Sequence, residues 1–153
     1  RSVEVIAFAT IFFGLLLGFS DWLHRRLVRV RDMIRVSDVL IVGCFQVLAL
    51  IPGTSRSGIT ITAALLVGLS RQMSIKFSFL LAIPVITLAT LAKMFDLANE
   101  STEVDWLMLA LGFVISAITA YVTVVFFIRL VDRIGFLPFV VYRILLGALL
   151  LLL

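Results

Sequence analysis

Two uncharged apolar runs, Val39–Ile51 and Ile59–Leu69, are separated by the polar, turn-forming stretch Pro52-Gly53-Thr54-Ser55-Arg56-Ser57-Gly58. At the helical rise the two arms reach about 20 Å and about 16 Å, so neither crosses a hydrocarbon core about 30 Å thick. One helix through both would be about 46 Å long and would hold Pro52 and Gly53 in its interior, where proline removes a ladder hydrogen bond. The lengths therefore predict a hairpin of two half-helices, about residues 38–69, that enters and leaves by one membrane face with its tip near mid-depth. Irregular backbone survives at that depth only where protein or a water-filled cavity covers it, so the hairpin also predicts a cavity.

The membrane setting follows from composition. Hydrophobic residues make up 63% of the 153 and charged residues only 14%, whereas a soluble domain is about half apolar. The fold class expected is an all-α integral membrane protein, a single membrane domain over 1–153 with spans at about 3–20, 77–95, 106–128 and 136–153. No cleavable leader is evident, and the absence of an initiator Met leads us to expect a piece of a longer polypeptide or a processed one. The single cysteine, Cys44, excludes an internal disulfide and a cysteine-based metal cluster, and is read as a small apolar packing residue. No linker or second domain is seen.

Charge position carries more information than the net charge of +4. If the hairpin does not cross, Arg25, Arg26, Arg29, Arg31, Arg35, Arg71, Lys76, Arg129 and Arg133 all fall on one side. The opposite loop, Asp96–Asp105, holds Asp96, Glu100, Glu103 and Asp105 with no Lys or Arg. The positive-inside rule then places the basic side in the cytoplasm and makes Trp106 an interfacial anchor on the other. The segment His24–Arg35 reads first as a solvated loop and second as an amphipathic surface helix; His24 is expected at the surface. Lys93 is expected to snorkel to the interface. Pro84 is expected to kink its span.

The hairpin tip is built for an anion. Pro52-Gly53 ends the first arm, and Ser55 or Ser57 can cap the second. A helix N-terminus presents unpaired N–H groups and the positive end of the dipole. Arg56 adds a planar fork of donors suited to phosphate oxygens. Gly53 and Gly58 admit a ligand close to the backbone, and Thr54, Ser55 and Ser57 add hydroxyls. Turn chemistry alone accounts for the Pro, Gly and Ser. It does not account for Arg56, a charge that within a membrane needs a partner.

Taken together, Gly43-Cys44-Phe45-Gln46, Leu48-Ala49-Leu50 and Pro52–Gly58 resemble the second signature of the undecaprenyl-diphosphate phosphatase family, the bacitracin-resistance type. Phe77-Ser78-Phe79-Leu80-Leu81-Ala82-Ile83-Pro84 and Phe136-Leu137-Pro138-Phe139 with Tyr142-Arg143 are similar to that family as well. The resemblance implies a multi-pass enzyme of the bacterial inner membrane that removes the terminal phosphate of a C55 polyprenyl diphosphate and returns the lipid carrier to cell-wall synthesis. It also implies an inverted repeat with two re-entrant hairpins and a site open to the periplasm. The family's first signature, a Glu-rich segment followed by Ser-Ser-Thr-Gly-His, is not found here. The chain thus looks like the C-terminal half, inactive alone. The other half would carry the second hairpin and the ligands for a divalent cation (Mg or Ca), and no metal ligand is expected in this chain.

On that resemblance and on charge, Arg56 clamps the diphosphate and stabilises the charge that develops on it. Ser55 and Ser57 serve as phosphate donors or as nucleophile; the donor role is favoured because no base lies nearby in sequence. Arg143, inside the last apolar zone, is a second phosphate ligand or carboxylate partner on one reading and a structural ion pair on the other. Gln46 is read as bonding across the hairpin, with substrate contact the lesser reading. Expected partners are a polyprenyl diphosphate and membrane lipids, with no nucleic acid; a homodimer stays open. The competing function is a transporter or flippase for a polyprenyl phosphate or another anion, since half-helix N-termini serve transport equally well.

Overall fold

A computed structural model describes residues 3–26, 30–99 and 106–152. Arg29, Glu100, Glu103 and Asp105, used in the charge argument, lie outside them. Helices follow in the order α1 (Val3–His24), α2 (Val36–Val47), a 3-10 turn (Leu48–Leu50), α3 (Arg56–Leu66), α4 (Arg71–Asn99), α5 (Trp106–Ile134) and α6 (Leu137–Leu152). Among the described residues the only β pairing is an isolated parallel bridge between Arg31 and Leu69. The chain is thus all-α. Three segments are long and apolar enough to cross a membrane: Val3–His24, Arg71–Asp96 and Trp106–Ile134. The described part of α6, Leu137–Leu152, extends about 24 Å at the helical rise, short of a hydrocarbon core about 30 Å thick. α4 starts before the expected span and continues through Pro84.

α2, the 3-10 turn and α3 form the hairpin in outline. Val42 packs with Ala63 and Ala64, and Phe45 and Ala49 pack against Ile59 nearer the bend, so the arms run antiparallel. The bend is tight because Thr54 N–H donates to Ile51 O at 3.2 Å and Gly53 takes φ +93°, a conformation open to glycine. α3 is the central element, buried from Gly58 to Leu65. Leu17 of α1, Ile75 of α4, Val131 of α5, Phe136 in the α5–α6 turn and Val140 of α6 close around Ile61 and Leu65.

Helices in lipid gain nothing from water exclusion and associate through close packing, which small residues allow. α1 and α6 show this. A Cβ on Gly14 would lie 3.1 Å from Arg143 Cβ, one on Gly18 would lie 3.1 Å from Val140 Cγ1, and one on Gly147 would overlap Ile11. Gly14 and Gly18 are the small-xxx-small pattern on α1. By contrast α5 is exposed along nearly its whole length, with Val131 its buried residue.

The basic segments converge at one end of the helices. Asp21, 5% exposed, pairs with Arg25 at 3.1 Å and with Arg71 at 2.7 Å, and Arg25 Nη2 lies against Gly135. This joins the end of α1, the start of α4 and the α5–α6 turn. Residues 30–35 carry no helix, in line with the loop reading. Two expectations change. His24 is buried, 8% exposed, because it lies on the inward face of α1 next to this cluster. Cys44 is exposed, because it lies on the side of α2 away from α3. Lys93 is exposed and pairs with Asp96 at 3.2 Å.

The α1–α6 contact yields a stability test. Gly147→Val should lower stability by about 1–3 kcal/mol through overpacking, measured by thermal melting in detergent. Gly112→Ala, where an added Cβ meets nothing within 4 Å, should leave the melt unchanged.

Candidate functional site

A cavity of about 330 Å³ opens beside the hairpin tip, between α1, α3, α5 and α6. Thr10, Ser55, Ser57, Tyr142 and Arg143 supply polar atoms around the backbone of Gly53 and Gly58, and Leu17, Ile61, Phe127, Phe136, Phe139 and Leu146 supply an apolar wall. Gly53 and Thr10 are in contact, and along α1 that level lies about 16 Å from the ion-paired Asp21 at the helical rise.

Local chemistry sets each group. Ser55 is the N-cap of α3, its Oγ accepting from Gly58 N–H at 3.3 Å; this settles which serine caps. Ser57 Oγ lies 3.5 Å from Ser55 Oγ. Arg143 reaches the tip from α6 because Gly14 makes room for its stem and Gly58 for its head. A Cβ on Gly58 would sit 2.9 Å from Arg143 Nη1. Arg143 Nη2 donates to Gly53 O at 2.7 Å, and Thr10 Oγ1, which donates to Ile6 O at 2.7 Å, also lies 3.3 Å from Gly53 O. Arg143 Nη1 is buried without a hydrogen-bond partner. One guanidinium therefore lies against the first turn of a helix with a donor left over, inside a cavity whose walls, among the described residues, carry hydroxyls and no carboxylate. Such a place favours an anion, through the dipole and through charge-assisted hydrogen bonds.

The first turn of α3 is also held from behind. Thr60 Oγ1 donates to Arg56 O at 3.0 Å and pairs with Ser78 Oγ of α4. Ser78 Oγ lies 3.4 Å from Ser57 O. Both side chains are buried. α4 thus bears on the turn that presents Ser57 to the cavity.

Of the residues singled out in the sequence, Gly53, Ser55, Ser57, Gly58 and Arg143 meet at this cavity. Arg56, Thr54 and Gln46 do not line it. Arg56 follows Ser55 by one helical position and so points to another side of α3; its Nη1 is buried and unpartnered. Thr54 is 1% exposed with Oγ1 unpartnered. Gln46 Oε1 is likewise buried without a partner, so this oxygen accepts no bond across the hairpin. Arg143 makes no ion pair among the described residues; a backbone carbonyl holds it instead. Thr10 and Tyr142 were not singled out for the site. The available signals were a lone hydroxyl in the first apolar zone and an aromatic hydroxyl beside Arg143.

Among the described residues no three His, Cys, Asp or Glu side chains come together as a metal site. Gly58→Ala should displace Arg143 and weaken binding of inorganic pyrophosphate about tenfold, equal to about 1.4 kcal/mol, measured by isothermal titration calorimetry.

Comparison with known proteins adds a family. The model described as "Bacitracin resistance protein BacA" matches residues 1–149. A relative named "Undecaprenyl-diphosphatase" from Ruthia magnifica subsp. Calyptogena magnifica is 55% identical, over 96% of this chain and 55% of the relative. "Undecaprenyl-diphosphatase 2" from Stutzerimonas stutzeri is 55% identical, over 100% of this chain and 57% of the relative. An "Undecaprenyl-diphosphatase" from Nitrosococcus oceani is 52% identical, over 98% and 56%. The chain spans about half the length of the curated relatives it matches.

Proposed function

The chain belongs to the bacitracin resistance protein BacA family, and on that premise we propose that it forms part of an enzyme that hydrolyses undecaprenyl diphosphate to undecaprenyl phosphate and phosphate, recycling a cell-wall lipid carrier. The observation that carries this reading is the unpartnered Nη1 of Arg143 at the N-terminus of α3, within a cavity polar at the tip and apolar along its wall. A lipid diphosphate has that division: an anionic head and an oily tail.

In this proposal Arg143, the hydroxyls of Ser55 and Ser57 and the α3 N-terminus hold the phosphates, and donors fixed in place stabilise charge that grows in the transition state. Arg56 brings a second guanidinium to the diphosphate from the neighbouring side of the tip, and its free Nη1 supports that role. Gly53 and Gly58 keep the approach open; Thr54 and Gln46 support the tip. The ligands of a divalent cation, Mg or Ca, come from outside the described residues. We further propose that α2 and α3 are re-entrant in a bacterial inner membrane, with the basic cluster cytoplasmic and the site open to the periplasm. The arms are too short to cross, and Arg25 and Arg71 meet at a common Asp21. A homodimer is compatible with the exposed α5.

A transporter for a polyprenyl phosphate or another anion is the second reading, favoured by the placing of the α3 N-terminus well inside the helical bundle. The two differ in detergent, where a transporter has no sides to connect. The intact protein, assayed with Mg or Ca, should release phosphate from undecaprenyl diphosphate; no release would favour transport. Arg143→Lys and Arg56→Lys should each lower kcat/KM about a hundredfold, because one ammonium does not replace the fork. Ser55→Ala and Ser57→Ala should keep measurable turnover, and a phosphoserine trapped at either position would overturn their role as donors.

A further inference from the structure

Arg31 stands outside the cavity, at the open base of the hairpin. Its backbone N–H donates to Gly68 O at 2.9 Å, and its O accepts from Ser70 N–H at 2.9 Å, so the segment before α2 is bonded to the segment after α3. Its guanidinium forks onto Asp38, Nη1 to Oδ2 and Nη2 to Oδ1, each at 3.2 Å. Nη2 also donates to Val67 O at 2.6 Å. Asp38 lies in the first turn of α2 and Val67 is the C-cap of α3. Asp38 accepts a further bond from Arg35 N–H at 2.9 Å and is 2% exposed. One side chain therefore joins the start of one arm to the last turn of the other.

We propose that Arg31 is a positioning residue for the tip: by closing the base of the hairpin it fixes the register between α2 and α3, and so where Ser55 and Ser57 stand relative to Arg143. Near the base the arms meet through Val42 against the small Ala63 and Ala64, while Phe45, Ala49 and Ile59 pack nearer the bend; the small side chains leave the base as the part where one arm can slip on the other, by up to a turn of about 5.4 Å. Such a step would carry Ser57 off Arg143. The bidentate pair between Arg31 and Asp38 has one geometry, which a lysine does not reproduce. Its charges are also placed to suit both helices, the carboxylate at the N-terminus of α2 and the guanidinium at the C-terminus of α3. An exposed ion pair would have little effect. Asp38 is buried, so removing Arg31 leaves its carboxylate with no cation against it and only backbone N–H donors such as that of Arg35, a cost that favours movement of the hairpin toward water.

The test uses the intact protein with Cys44 replaced and spin labels at Phe8 on α1 and Leu50 beside the bend, both exposed. Dipolar EPR should give one narrow distance distribution for the parent. Arg31→Lys and the near-isosteric Asp38→Asn should each broaden it or shift it by about a helical turn. The activity arm rests on the phosphatase reading. There kcat should fall about tenfold in both variants, and Asp38→Glu should retain more of it than Asp38→Asn. Unchanged distances in folded variants, or shifted distances with unchanged kcat, would overturn the proposal. If the parent releases no phosphate, the phosphatase reading fails and the distances alone decide on Arg31.

Discussion

The first turn of α3 places polar backbone and a guanidinium inside a mainly apolar bundle, and the rest of the fold is arranged around satisfying them. Buried N–H groups and charges need partners, most of all where no water reaches. Ser55 answers part of that need by capping Gly58 N–H, and Arg143 satisfies the bend just before the helix by bonding Gly53 O. Arg143 spends one nitrogen on that carbonyl and leaves another without a partner. In the proposed function, an anion with several acceptor oxygens completes what the protein leaves open.

Bringing Arg143 there requires helices closer than ordinary side chains permit. Gly14, Gly18 and Gly147 let α6 lie tightly on α1, and Gly58 leaves the space its guanidinium fills. The same closeness draws the apolar wall of Phe127, Phe136 and Phe139 next to the polar tip. Packing and chemistry are in this sense one arrangement: glycines chosen for contact also set the distance between the cation and the helix end. At the far end Asp21 gathers Arg25 and Arg71, and Arg31 ties the two arms, so the charged groups of that side hold the helices whose tips form the cavity.

Much of this was legible in the residues. The two short arms and the breakers Pro52 and Gly53 fixed a helix–turn–helix, because helical rise and proline geometry are local properties. Gly53, Ser55, Ser57 and Gly58 were found for the same reason: caps and turns are written within a few residues. Arg143 was singled out as a second phosphate ligand on one of two readings; its bond to Gly53 O was not legible, because it depends on how α6 crosses α1, a contact carried by glycines that have no side chain to advertise it. The separation of Arg56 from the serines is a matter of helical phase, which becomes definite only once Ser55 is known to be the cap. His24 was misplaced because its charged neighbours in sequence suggested solvent, whereas its position on α1 turns it inward. Thr10 shares that cause: one hydroxyl in an apolar run says little until the run has an inner face.

The most direct measurement is the anomalous scattering of tungstate, a tetrahedral oxyanion, in crystals of the intact protein. A peak within hydrogen-bonding distance of Ser55, Ser57 and Arg143, lost in Arg143→Gln, is the expected result. Tungstate bound elsewhere, with the cavity beside the tip left empty, would contradict an anion site at the N-terminus of α3.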